Sequence, residues 1–171
     1  MKAKILVLLL IFAASAVSVF PQDKPAKQTK EEKKAEKAKQ VEALMNLKEF
    51  VFVGNYAMPT GARQVNLATN PNFMKFQPDM IVSEMPFFGT AYSTTGYGTD
   101  TGVRFKARPE KFEVKKGKKG WDIEAVVTDQ VDSYKIYLSV STSGNAQLSI
   151  SCNRRSAISY TGDISPVEDQ K

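Results

Sequence analysis

The sequence predicts a mostly β domain: an antiparallel meander closing into a small lipocalin-like barrel, or folding as a sandwich, with one N-terminal α-helix. Three observations predict it. From Phe50 onward apolar and polar residues alternate with period 2, the spacing of a strand with one buried face. Proline and glycine recur from Pro59 to Gly162 and cut the alternation into short runs. Before Phe50 the pattern has the helical period instead. Nine or ten short strands in one domain must close on themselves or fold over to hide their apolar face.

The 171-residue chain opens with Lys2 and Lys4, an apolar run from Ile5 to Phe12, and the small residues Ala14, Ser15 and Ala16. This is the order of a secretory signal peptide, and the apolar run is shorter than the roughly 20 residues of a spanning helix. Residues 1–22 are therefore expected to be removed, by a cut after Ala16 or nearer Gln22. The mature chain is then periplasmic or secreted and has no integral membrane segment. Residues 23–47 read as a polar linker and a charged amphipathic helix. Thr29 and Glu32 form a capping box, and Ala, Lys, Glu, Gln and Leu carry the helix from Lys30 to Leu47. Its apolar stripe, from Ala35 to Met45, thickens toward the C-terminal end, so the start is expected in solvent and the end docked.

Residues 48–171 read as the β domain. Early strand candidates are 50–56, 73–77, 79–84, 87–92 and 102–107. In the second half, opposed residues of an antiparallel pair share a face and must agree in polarity. That test sets Phe112 and Val114 against Ile123 and Trp121 around a Gly117-Lys118 turn. Trp121, Ile123, Ala125 and Val127 then face Val140, Leu138, Ile136 and Tyr134 around Asp129 to Asp132. Val140, Leu138 and Ile136 meet Leu148, Ile150 and Cys152 around a three-residue Ser143-Gly144-Asn145 loop with a bulge. Ile158 and Tyr160 return beside Ile150 and Leu148.

The stretches "FVFVGNYAMPTG", "MPFFGTAY", "GYGTDTGVRF" and "LSISCNRRSAISYTGDI" follow one another in this order. As a series, over roughly Glu42 to Ile164, they resemble the secreted Bacteroides-type family catalogued as domain of unknown function 4251. The resemblance implies export and a compact, mostly β domain after an N-terminal helix. It implies no activity and transfers no site residue.

Composition argues against most chemistry. Histidine is absent, which removes the usual general base, the usual triad and the commonest transition-metal ligand. The reading is therefore not an enzyme, with no catalytic residue, no metal ligand and no cofactor. Asp129 and Asp132 fall in a hairpin loop, where acids are ordinary turn formers. Gly96, Gly98 and Gly102 miss the dinucleotide spacing and precede a strand, so they read as a turn. The formal charge of +6 falls by two with the signal peptide and is spread along the chain, so no nucleic acid is expected as partner. Cys152, the single cysteine, lies on the apolar face of a strand and reads as a buried, inert thiol. Lys115, Lys116, Lys118 and Lys119 crowd one hairpin tip, either as a solubilising edge or as a contact for anionic lipid.

What remains is binding. Phe88, Tyr92, Tyr97 and Trp121 are the candidate ligand-binding residues, aromatics available to line a barrel or its mouth for a small apolar ligand or lipid. The alternative partner is another envelope protein, met by the charged helix and a sheet edge. A core filled with side chains would count against the first.

Overall fold

The Thr29 hydroxyl accepts the Glu32 N–H at 3.2 Å while the Glu32 carboxylate accepts the Thr29 N–H at 2.8 Å, so helix α1 (Lys30–Leu47) starts where its capping box stands. It ends at Lys48, whose left-handed backbone (φ 57°) lets its N–H reach the Met45 carbonyl. Residues 30–37 are exposed, whereas Val41 and Met45 are buried. This computed structural model describes residues 29–92, 102–130 and 132–167.

Ten strands follow: β1 (Phe50–Pro59), β2 (Val65–Asn66), β3 (Phe73–Gln77), β4 (Met80–Met85), β5 (Val103–Ala107), β6 (Pro109–Lys116), β7 (Gly120–Thr128), β8 (Ser133–Ser141), β9 (Asn145–Cys152) and β10 (Ile158–Ser165). They form one antiparallel sheet in the order β5-β4-β3-β1-β10-β9-β8-β7-β6, with β2 beside β1. The two outermost strands are consecutive in sequence and joined at Arg108, so the sheet rolls into a nearly closed barrel. Phe112 of β6 lies 6.1 Å from Phe76 of β3, and Phe76 stacks on Phe50 at 4.8 Å, so the two sides share one core. Pro109 and the lysines of β6 stand on an edge strand, where a missing N–H costs no ladder bond and charge discourages pairing.

The helix covers one end of this barrel. Lys116, at the end of β6, pairs with Glu42, and the Gly144 turn packs against Val41. At the opposite end, the chain after β4 runs to the β9–β10 connection, where Tyr92 donates to the Arg154 carbonyl and Ser156 to that of Thr90.

The β7–β8 and β9–β10 pairings have the expected register: Trp121 opposes Val140, and Ile158 opposes Ile150. Two hairpins differ from expectation by two residues. Val114 meets Ile123 and Lys116 meets Trp121, with Lys118-Lys119 at the tip, and Leu138 meets Leu148 around a three-residue Thr142 to Gly144 loop. Side chains alternate with period 2, so a slip of two keeps every residue on its face and polarity matching cannot detect it. Gly144 at φ +86° closes the loop as the left-handed third residue of such a turn. Residues 87–92 are not a strand: after Pro86 they make a single bridge, Ala91 to Arg155. The alternation there reflects Phe87 packing inward beneath Arg155, whose guanidinium lies 5.0 Å from the ring.

Candidate functional site

The four aromatics singled out in the sequence do not converge. Trp121 begins β7 at the helix end, is buried, and has the Lys116 ammonium 5.7 Å from its ring. Phe88 and Tyr92 are exposed at the opposite end, tied to the Arg154–Ser156 connection. Along β7 the two ends are six residues apart, about 20 Å. Tyr97, with Gly96 and Gly98, lies outside the described residues; Gly102 is followed by strand β5 and not by a helix.

The barrel interior is occupied. Phe50, Phe52, Met74, Phe76, Ile81, Ile123, Leu138, Leu148 and Tyr160 carry no surface that a water-sized sphere could touch. Burial pushes the Tyr160 phenol well up, and its hydroxyl donates to the Pro86 carbonyl at 2.8 Å. These nine side chains therefore line no cavity into which a ligand could fit.

The opposite faces of the same strands form an open groove of about 590 Å³ beside the helix end. Its floor is a row of outward residues in register across five strands: Tyr56, Thr161, Gln147, Ser139 and Asp122. At about 4.8 Å per strand the row spans about 19 Å. A bulge in β1 puts Asn55 and Tyr56 on the outer face in succession, and buried Asn72 satisfies the disturbed backbone by accepting the Gly54 N–H at 2.7 Å and donating to its carbonyl at 3.1 Å. Over the other side hangs the β6–β7 tip. A Cβ on Gly120 would stand 1.9 Å from the Val140 carbonyl oxygen, so only glycine lets this tip approach β8 and bring Lys118 and Lys119 to the groove.

Two of the groove's amides, Asn55 and Asn145, are held in place. Asp163 accepts from the Asn55 amide at 2.9 Å and from the Asn145 amide at 2.8 Å, and the Asn145 side-chain oxygen accepts the Ser143 hydroxyl at 2.6 Å. The neighbouring Asp122 carboxylate, and then burial, push the Tyr137 phenol up. The tip lysines divide. Lys115 pairs with Glu113 at 3.0 Å and Lys116 with Glu42, whereas Lys118 and Lys119 meet no carboxylate among the described residues.

The far end holds Asp132 beside Cys152, the chain's single cysteine, arranged as scaffold. Burial pushes the Asp132 carboxyl up, but the N–H of Ser133 (2.8 Å), the Cys152 thiol and the N–H groups of Arg154 (3.1 Å) and Asn153 (3.3 Å) outweigh it, leaving the group below its ordinary range. Burial and then Asp132 itself push the Cys152 thiol up, the opposite of an activated nucleophile. No three potential metal-ligating side chains cluster among the described residues.

Sequence reasoning missed Asn55, Tyr56, Gln147 and Thr161, and took Lys118 and Lys119 only as part of a charged tip. Their common signal is outward polarity, shared by every solvent face; what distinguishes them is a strand order that joins β1 to β10.

Fold and site together define a class: a nearly closed antiparallel barrel, capped by an N-terminal helix and grooved on its outer wall. Within that class the chain belongs to the family described as domain of unknown function (DUF4251), whose model matches residues 32–164. It is similar in fold to a crystal structure of a DUF4251 family protein from Bacteroides eggerthii, with a TM-score of 0.60 and 18% identity, covering 77% of this chain and 89% of that one. No curated protein matches the chain.

Proposed function

We propose that the protein is an exported, non-catalytic binding module of the bacterial envelope, periplasmic or secreted, and that the outer groove is its recognition surface. One observation carries this reading. The interior side chains leave no room for the small apolar ligand or lipid that a lipocalin-like barrel suggests, while the outer wall offers a concave surface with pre-ordered amides and two lysines that meet no carboxylate among the described residues. Pre-ordered groups lose little freedom on binding, so contacts made there count nearly in full. The signal-like residues 1–22 support export, and the lack of histidine and the raised Cys152 thiol support a role without catalysis.

The test is native against denaturing mass spectrometry of mature protein isolated gently from its own host's envelope. Extra mass that disappears on denaturation, and is absent from a Tyr56→Leu/Lys118→Ala/Lys119→Ala variant, is expected. A bare wild-type mass, or the same mass on the variant, would overturn the reading.

A second reading has its own observation: the first two turns of α1 stand in solvent, and β5 and β6 leave sheet edges. These suit another envelope protein as partner. Deleting residues 23–40 should then abolish crosslinked partner recovery while leaving the barrel's thermal transition in place; unchanged recovery would remove this reading.

A further inference from the structure

We infer that the groove takes an oligosaccharide bearing carboxylate or sulfate groups. The inference rests on the binding-module reading and adds the ligand class. A sugar ring has a C–H face and a rim of hydroxyls, so it needs an aromatic plate beside groups that both donate and accept. Tyr56 supplies the plate: it is 41% exposed on the groove floor, turned outward by the β1 bulge, with a flat apolar ring and a polar tip. Asn55, Gln147 and Thr161 supply mixed donors and acceptors beside it, the chemistry that matches hydroxyls that are donors and acceptors at once.

The sign of the ligand follows from the charges. The groove lining sets two lysines, Lys118 and Lys119, against a single carboxylate, Asp122, while Asp163 stands outside the lining and holds two asparagine amides. Lys118 and Lys119 meet no carboxylate among the described residues, and their glycine-flanked tip places them beside the row. An anionic substituent gives them charge-assisted hydrogen bonds. The row's span of about 19 Å across five strands favours an oligomer over a single sugar, and its open side leaves a longer chain free to continue.

The probes are a tetramer of galacturonic acid, its fully methyl-esterified neutral counterpart, and tetraglutamate, each titrated calorimetrically into the mature chain. The sugar acid is expected to bind at least tenfold more tightly than either control. Tyr56→Leu, which keeps apolar bulk but removes the ring, and the exposed pair Lys118→Ala/Lys119→Ala should each weaken it tenfold or more with an unchanged melting temperature. Equal binding of the neutral sugar overturns the anionic assignment, and equal binding of tetraglutamate overturns the saccharide one. Binding of none of the three while envelope-derived protein still carries groove-dependent mass overturns the ligand class and leaves the binding module standing. If that mass is absent too, both fall.

Discussion

The inner and outer faces of β1 and β7–β10 are built on the same backbones and hold opposite contents. Inward, Phe52, Ile123, Leu138, Leu148 and Tyr160 fill the barrel; outward, Tyr56, Asp122, Ser139, Gln147 and Thr161 line a polar groove. Each strand thus fills the core with one set of alternate residues and presents polar groups outward with the other. A barrel of about this size can either be filled by side chains or hold a small ligand, and here the side chains fill it.

This contrast breaks most severely where the backbone itself is crowded. Gly162 occupies an inward position on β10, where a Cβ would stand 1.9 Å from the Val53 carbonyl oxygen. Gly162→Ala is expected to cost about 4 kcal/mol or more, read as loss of the cooperative urea transition, whereas Thr161→Ala next to it should stay within about 0.5 kcal/mol. An unaffected Gly162→Ala would mean that β1 and β10 do not approach as described.

Next in size comes the filled interior. Leu138→Ala removes a side chain with no exposed surface and should cost about 2–5 kcal/mol by chemical denaturation, while leaving groove residues unshifted in amide spectra. A cost below about 1 kcal/mol would point to slack inside the barrel and revive the apolar-cargo reading.

At the end away from the helix, Asp132→Asn should cost about 1–3 kcal/mol, because several N–H groups lose a charged acceptor. The pH dependence has a definite sign. The folded carboxyl lies below its ordinary value, so its contribution is present above the unfolded pKa of about 3.9 and is lost as pH falls through the lower folded value. Wild type should therefore lose more stability than the variant on acidification below about pH 4. Parallel acid profiles would show that Asp132 does not hold the loop.

The smallest effect belongs to the helix start. Thr29→Ala removes one half of an exposed capping box and should cost about 1 kcal/mol locally. The expected readout is faster amide exchange in the first turn of α1 with an unchanged melting temperature, since only Val41 and Met45 dock the helix deeply. A lowered melting temperature would show that the first turns also support the barrel.

Much of this fold was legible because its signals are local. The capping box marked the helix start, and alternation from Trp121 to Tyr160 set two of the four hairpins of the meander in register. The other two slipped by two residues for want of a signal that distinguishes even shifts. Residues 87–92 alternate like a strand without pairing as one because Phe87 is held by Arg155 and not by a ladder. Of the groove, only Trp121 and the lysine tip were singled out in the sequence, and nothing there joined them to Tyr56 or Thr161. The groove depends on the β1–β10 pairing, which brings Tyr56 beside Thr161, and on a bulge stabilised by Asn72. Neither leaves a mark in the alternation around Tyr56.

The most direct test of inside against outside is amide chemical-shift mapping of the mature protein, titrated in parallel with tetragalacturonate and with dodecanoate. We predict saturable shifts at Tyr56, Gly120, Gln147 and Thr161 with the sugar acid, and no shift at Ile123, Leu138 or Leu148 with the fatty acid. Saturable shifts of those interior residues with dodecanoate, and a silent groove, would contradict the account.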